Sequence, residues 1–435
     1  MQKSHHIVIV GGGAGGLELA TKLGRKLGKK NKARITLVDS ALTHVWKPLL
    51  HEVAAGSLNT DTSQVSFRAH AQLNHFEFQL GRLCDLNRAE KSVVLEPIID
   101  ASGEPVVAQR SIRYDSLVIA IGSSANDFGT KGAKEHCLFL DNLEQARHFH
   151  KLLLNAFLRK EFHQGNEDNK LSIAIVGAGA TGVELSAELR QASTQLEHYG
   201  MHNIVANKVD IRIVEASDRI LPALPERLST SVQQELTKLD INVAINSVVA
   251  EVNSEGLQLK DGQQINADIK VWAAGVKAPE CLTTLDGLET NRINQLKVKQ
   301  TLQTTLDNDI YAFGDCAECP QPGLDRPVPP RAQSAHQQAS TLAKTLSAKL
   351  KHDAPTPFVY RDYGSLISLS EHSAVGNMMG NFSSKSMFIE GRLARLFYIS
   401  LYRMHQIAIH GFLRTGLFWL NDRLVKALHP KMKLH

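Results

Sequence analysis

Runs of consecutive apolar residues, each followed by a turn and then a helix-spaced pattern, dominate the chain. Ile7-Val8-Ile9-Val10 has no polar break, which predicts a strand buried on both faces of a parallel sheet. Glycines 11, 12, 13, 15 and 16 follow, and apolar positions then recur at helical spacing from Leu17 to Leu23. Ile35-Thr36-Leu37-Val38-Asp39 predicts a second strand that ends in an acid. Ser92–Glu96 and Ile112–Asp115 predict short meander strands, and Ser116–Ser123 a strand that runs into Gly122. Residues 141–162 predict a helix, and 165–170 a polar, turn-rich linker.

The opening pattern then returns. Leu171–Val176 is a second apolar run, Gly177-Ala178-Gly179-Ala180-Thr181-Gly182 a second glycine turn, and Val183–Leu189 a second helix start. Ile211-Arg212-Ile213-Val214-Glu215 again predicts a strand ending in an acid. It arrives ten residues later than in the first copy, so Gln195–Asn207 is expected to carry an insertion. Strands are predicted between Val243 and Asp268, with a Lys260-Asp261-Gly262 hairpin turn, and Val271–Val276 mirrors the strand that runs into Gly122. Ile310–Asp315 predicts a short strand leading to a Gly-Asp pair, and Pro329-Pro330 suits the first turn of a long helix. The expected fold class is α/β, with two Rossmann-like dinucleotide-binding domains and a C-terminal amphipathic-helix segment.

Both glycine turns fit G-x-G-x-x-G between a strand and a helix. The first glycine permits a sharp turn, the second lets backbone approach a pyrophosphate, and the third lets helix and strand pack closely. Gly11, Gly13, Ala14, Gly15 and Gly16 are therefore cofactor-binding candidates, with Asp39 as a ribose ligand. Gly177, Gly179, Thr181, Gly182 and Glu215 are their counterparts. Glu215 is read as the nicotinamide-side ribose ligand. A carboxylate there repels a 2′-phosphate and so favours NADH over NADPH, although Arg212 and Arg219 lie close by.

Two such folds in one chain imply two nucleotides, a resident flavin and an exchangeable nicotinamide. FAD is assigned to the first copy, because the Gly314-Asp315 strand and the helix from Ala332 can return to a long flavin. Asp315 would accept a ribityl hydroxyl, and that helix would aim its N-terminus at the pyrimidine edge. Gly122 and Gly275 close the two copies, and Lys47, after the first acidic strand, can reach a bound cofactor. His51 reads as a packed histidine. Glu184, expected on the first turn of the second motif helix, is a candidate for positioning the nicotinamide.

Composition narrows the picture without changing it. The 435 residues carry 43% apolar and 21% charged side chains and a net charge of +5. Five scattered cysteines give no disulfide framework, and Cys316-Ala317-Glu318-Cys319 lacks a second pair for zinc. No cysteine lies in Ser40–Gly56, where disulfide-active flavin reductases carry theirs, so electrons must leave the flavin to an external acceptor. No signal peptide and no transmembrane run is expected. Charge is concentrated at the end: from Lys385 onward nine Lys and Arg face two acids, +7 in a chain of +5. Apolar residues recur there at helical spacing (Ile389, Leu393, Leu396, Phe397, Leu401, Met404), with a second cluster at Phe412, Leu413, Leu417 and Trp419. A basic, apolar-striped helix pair reads as lying in a bilayer surface, where a lipid-soluble quinone can be reached. A face packed on the body or on a second copy in a homodimer is the alternative. Nothing points to nucleic acid.

Together with Tyr311-Ala312-Phe313-Gly314-Asp315-Cys316 and Ala332-Gln333-Ser334-Ala335-His336-Gln337, these motifs make nearly the whole chain resemble the type II NADH:quinone oxidoreductases. The last stretch matches the family's Ala-Gln-x-Ala-x-Gln pattern on the quinone side of the flavin. The resemblance implies a catalytic set of Glu184, Gln333 and Gln337, with the two glutamines projecting from one helix face toward a quinone carbonyl. It implies FAD and NADH as cofactors and no proton pumping. It also implies a peripheral protein on the cytoplasmic face of a bacterial inner membrane. The expected domains are 1–125 with 305–345 for FAD, 126–304 for NADH, and 346–435 for membrane association. A sulfide:quinone oxidoreductase and a non-enzymatic NADH-binding redox sensor with a basic membrane tail are the alternatives.

Overall fold

The structure, a computed structural model, describes residues 4–58, 63–162, 170–198, 209–369, 374–379 and 386–428. The expected linker up to Asn169 and the insertion from Tyr199 to Asn207 lie outside the described residues. The strands used below are β1 (His5–Val10), β2 (Ala33–Asp39), β3 (Glu77–Leu80), β4 (Ser116–Ile119), β5 (Leu171–Val176) and β6 (Val209–Val214). They continue with β7 (Ile241–Ala244), β8 (Ile269–Trp272), β9 (Ile310–Ala312), β10 (Gly364–Ser368), β11 (Ala374–Met379) and β12 (Ser386–Glu390). The helices are α1 (Ala14–Lys26), α2 (Leu50–Ala55), α3 (Leu143–Phe162), α4 (Ala180–His198), α5 (Ala332–Lys349), α6 (Gly391–His410) and α7 (Phe412–Leu428).

The chain forms two compact units. The first comprises Met1–Trp46, Gln64–Ser124 and Val276–Arg361. Its five-stranded sheet has the order β9-β4-β1-β2-β3 and is parallel throughout. In β1, Ile7 pairs with Ile35 on one side and Ser116 on the other. Both edges of the strand are thus occupied, and Ile7 and Ile9 are wholly buried, as the unbroken apolar run requires. α1 packs Leu17, Leu19 and Leu23 into the same core and lies against α5. The meander strands pair as expected, with Ile112 opposite Val93.

The second unit comprises Lys47–Ser63, Ala125–Gly275 and Asp362–His435. Its parallel sheet has the order β7-β6-β5-β8, so β5 is central and the chain leaves it to opposite sides. α2 packs on α3 and α4. The C-terminal stretch adds an antiparallel sheet, β10-β11-β12, with a small core of Ala374, Ile389 and Ala394 against Leu366 and Phe397.

Three boundaries differ from those expected. The units divide at Gly275, not at 304. Residues 276–304 join the first unit through short, aperiodic pairings, such as Leu296 with Ala317 and the Thr304 amide with the Ile310 carbonyl, which leave no pattern in the sequence. Residues 346–361 likewise stay with the first unit, and residues 47–63 belong to the second because α2 packs there. Ile389, read as the start of a helical stripe, lies in β12 opposite Gly376; the helix begins only at Gly391.

Candidate functional site

The two glycine turns are built alike. Gly11 and Gly177 sit at φ +103° and +102°, and each donates its amide to the carbonyl ending the apolar part of the next strand, Val38 and Val214, at 2.8 Å. A side chain at Gly16 or Gly182 would collide with the carbonyl of Gly11 or Gly177, so only glycine lets helix and strand pack here. Above Gly13 and Gly179 the opposite holds: a β-carbon would meet nothing within 4 Å. Gly13 caps α1 with no side-chain hydrogen bond, and neither α1 nor α4 has an acid in its first turn. Each helix therefore opens with uncapped amides and a positive dipole end beneath an open cradle, which fits an anion.

Each cradle is flanked by an anchored carboxylate. Asp39 accepts the Gly12 amide on Oδ2 at 2.6 Å and the Ala41 amide on Oδ1 at 2.8 Å. Glu215 accepts the Ala178 amide on Oε2 at 2.7 Å and the Ser217 amide on Oε1 at 2.8 Å. Burial pushes the Asp39 carboxyl upward, and the backbone donors offset part of that shift. Both carboxylates keep lone pairs for a ribose hydroxyl. Arg212 lies 3.9 Å from Asp210, and Arg219 donates to the Pro222 carbonyl.

In the first unit Gly122 and Gly314 both take left-handed backbone, at φ +71° and +74°. Ser123 donates to Asp315 Oδ2 at 2.9 Å. The Gly314 amide donates to Gln338 Oε1 at 2.9 Å, which ties this turn to α5, and Gln295 donates to the Asp315 carbonyl at 2.9 Å. α5 begins at Ala332 after the extended Arg331, again with no side-chain cap and no first-turn acid. Gln333 and Gln337 do share the start of this helix, but their amides are occupied differently. Tyr360 donates to Gln333 Oε1 at 2.7 Å. Gln337 donates to the Arg361 carbonyl at 2.8 Å and accepts the Arg361 amide at 3.1 Å. Gln337 thus grips backbone as a neighbouring strand would, and both ends of its amide are used. Tyr360 and Gln338 had no signal in the sequence, because their partners lie 27 and 24 residues away.

Glu184 lies in the second unit, just beyond the first turn of α4 rather than on it, because the helix begins at Ala180. It is 7% exposed. Its Oε1 accepts the Ser368 amide of β10 at 3.0 Å, and its Oε2 is 3.8 Å from His51 Nδ1 on α2. Burial, then the charges of Glu52 and Glu188, push its carboxyl up to about 8, while the Ser368 amide and Arg395 pull the other way. Burial beside Arg395 pushes His51 down to about 3. Both groups are therefore neutral near pH 7, and their approach is not an ion pair. Arg395 of α6 donates to Ser368 Oγ at 2.5 Å, so β10 and α6 frame the site from the C-terminal stretch. Lys47 also lies in this unit, its Nζ 3.9 Å from Asp141. Gly275 takes φ +64°, and Gly177 has room for no side chain because Ala274 Cα would lie 2.7 Å from it. The 273–275 turn and the second glycine turn are thus in direct contact.

All five cysteines are free. Burial pushes Cys137, Cys316 and Cys319 up to about 12, and Cys316 donates to the Phe313 carbonyl at 3.3 Å. Thiols held protonated in this way are poor nucleophiles.

Residues 5–339 match the family described as pyridine nucleotide-disulphide oxidoreductase. The type II NADH:quinone oxidoreductase of Haemophilus influenzae is 47% identical over 443 residues, covering 99% of this chain and 100% of that one. The chain belongs to the type II NADH:quinone oxidoreductases. The Staphylococcus aureus member is 30% identical over 384 residues, covering 87% of this chain and 91% of its own. Among solved structures, the Plasmodium falciparum protein titled NDH2 in complex with NADH shares the fold at TM-score 0.84, with 19% identity and 99% and 100% coverage. The Aquifex aeolicus sulfide:quinone oxidoreductase shares it at TM-score 0.73, with 17% identity and 98% and 96% coverage. That likeness is one of fold, and family membership removes the sulfide and sensor alternatives.

Proposed function

We propose that this chain oxidises NADH and reduces a membrane quinone, with FAD held by the first unit and NADH by the second. The observation that carries the reading is the doubled glycine turn, each copy with an open cradle and a backbone-anchored carboxylate. FAD, when bound, supplies the two-electron acceptor for the hydride of NADH and the two-electron donor for the quinone. The α1 N-terminus and Asp39 hold its pyrophosphate and a ribose hydroxyl, Asp315 its ribityl chain, and the uncapped start of α5 faces its pyrimidine edge. The α4 N-terminus and Glu215 hold NADH in the same manner. The hydroxyl that distinguishes NADH from NADPH belongs to the adenosine ribose, so Glu215 addresses that ribose and not the nicotinamide-side one. Glu184, uncharged near pH 7, serves as a hydrogen-bonding group for the nicotinamide. Gln333 meets a quinone carbonyl, whereas Gln337 holds the chain at Arg361.

The exposed stripe of α6 and α7 is assigned to the bilayer surface on the cytoplasmic side of a bacterial membrane, where NADH is available. Leu393, Leu396, Leu413, Leu417 and Leu420 are all exposed, in the same stretch as the +7 charge. Basic residues beside apolar ones favour an anionic lipid surface over a second copy of the same charge. Among the described residues no helix is long and apolar enough to cross a membrane. Anaerobic mixing with NADH should bleach the flavin absorbance, and a short-chain quinone should restore it; an unbleached flavin would refute the reading. Truncation at Lys385 would remove β12 and Arg395, so point changes test the anchor better. Leu413→Glu with Leu417→Glu should leave bleaching intact and weaken binding to anionic vesicles by at least about tenfold. Unchanged vesicle binding would refute the anchor.

A further inference from the structure

Phe128 occupies a position that backbone geometry reserves for other residues. The Thr130 amide donates to the Asp127 carbonyl at 2.9 Å, closing a turn whose central residues, Phe128 and Gly129, have φ +51° and +70°. Two consecutive positive φ values define a primed turn, in which Gly, Asn or Asp avoids the clash that a bulky side chain suffers. The ring is not driven there by burial, since Phe128 is 66% exposed. The turn is nevertheless firmly held. The Phe128 amide donates to Asn126 Oδ1 at 3.0 Å, and Trp272 Nε1 donates to the Asn126 carbonyl at 2.8 Å. The ring lies against Gly275, where a β-carbon would fall 2.9 Å from Phe128 Cε2. A strained turn, an exposed aromatic ring and a glycine cleared to receive it thus coincide at one place.

That place is set by topology. β5 is the central strand, flanked by β6 and β8, and a nucleotide lies outside the carboxyl ends of the strands where the connections diverge. Gly177 follows β5 and touches the turn after β8, on which the Phe128 ring rests. Glu215, at the end of β6, lies on the other side of β5. With the adenosine ribose at Glu215 and the pyrophosphate at the Gly177 turn, the nicotinamide half extends toward β8. We propose that the Phe128 ring is a binding wall for the nicotinamide nucleotide half of NADH, packing its π-face or edge against that planar heterocycle. The inference rests on the second unit as the NADH site.

The test is the dissociation constant of NADH, read from the concentration dependence of flavin bleaching in the intact holoenzyme, with ADP-ribose as a competing probe that lacks nicotinamide. Phe128→Ala should weaken NADH by roughly three- to tenfold and leave ADP-ribose inhibition unchanged. Phe128→Tyr should restore NADH affinity. Phe128→Gly should weaken NADH as Phe128→Ala does while keeping or raising the melting temperature, because it relieves the positive φ. Unchanged NADH affinity in Phe128→Ala would overturn the proposal. So would equal weakening of NADH and ADP-ribose, which would mark the ring as structural support for the whole cleft. Failure of NADH to bleach the native enzyme would instead overturn the NADH reading itself, so the two failures are separate.

Discussion

Glu18 and Glu184 occupy the same place in the two copies, seven residues after the first glycine of each turn. Both are buried, yet their surroundings are opposite. One turn on from Glu18 stands Lys22, its Nζ 2.5 Å from Glu18 Oε1, and His336 of α5 approaches Oε2 at 2.7 Å. One turn on from Glu184 stands a second acid, Glu188, and the donor on Oε1 is the Ser368 amide. The first glutamate is paired with a lysine and with a histidine that ties α1 to α5. The second is surrounded by acids and held neutral near pH 7 by burial. Position in the motif therefore fixes where the carboxyl group stands, and burial, with the acids Glu52 and Glu188 behind it, raises the carboxyl of the second copy.

Three tests, with four substitutions, probe that comparison. The largest effect is expected where the copies agree. Gly16→Ala pushes a methyl into the Gly11 carbonyl and Gly182→Ala into that of Gly177. Overlaps of this kind cost about 2 kcal/mol or more, a factor of thirty or so in binding. Purified Gly16→Ala should lose most of its FAD, measured as flavin per chain. Gly182→Ala should keep its FAD but bleach with NADH only at much higher concentration. Equal loss of FAD in both variants would show that the copies do not divide the two nucleotides.

Lys22→Glu is the next largest. It gives the first copy the charge pattern of the second and leaves Glu18 buried beside a like charge. The cost should be about 1.5 kcal/mol, cut from the roughly 3 kcal/mol of a fully buried broken pair because Lys22 is one-third exposed, and should appear as a fall of a few degrees in melting temperature. A melting curve unchanged from the native protein would show that the Lys22 contact is dispensable.

The smallest is a pH effect. Between the ordinary glutamate value of 4.5 and about 8, folded Glu184 keeps a proton that the unfolded chain has released. Stability should therefore fall as pH rises through that window. Glu184→Gln keeps the shape and cannot ionise, so it should flatten the decline and melt higher than the native protein at pH 9. Parallel pH profiles of native protein and variant would disprove the raised value.

Local chemistry was legible in the sequence and long-range chemistry was not. Both glycine turns, both acid-ended strands and the Gly314-Asp315 pair follow from residues within a few positions of one another, and each stands where the pattern put it. The surroundings of Glu184 come from α2, β10 and α6, more than a hundred residues away in either direction, and no periodicity connects them. The four-residue spacing of Gln333 and Gln337 correctly gave one helix face, but not that the Arg361 backbone would take up one of the two amides. Residues 276–304, expected with the NADH domain, fall in the first unit instead, because their pairings are two residues long and carry no amphipathic pattern. β12 was hidden because a short strand in a basic, apolar stretch has the same composition as the helix that follows it.

The hydrogen bond from Ser368 to Glu184 has a directional consequence. The carbonyl oxygen of a protonated carboxyl group is its stronger acceptor, so an amide N–H on one oxygen favours the acid proton on the other. With Oε1 committed to the Ser368 amide, the favoured place for the proton is Oε2, the oxygen facing His51. The main chain of β10 thus gives the acid a polarity: one oxygen receives, and the other is loaded and aimed toward α2.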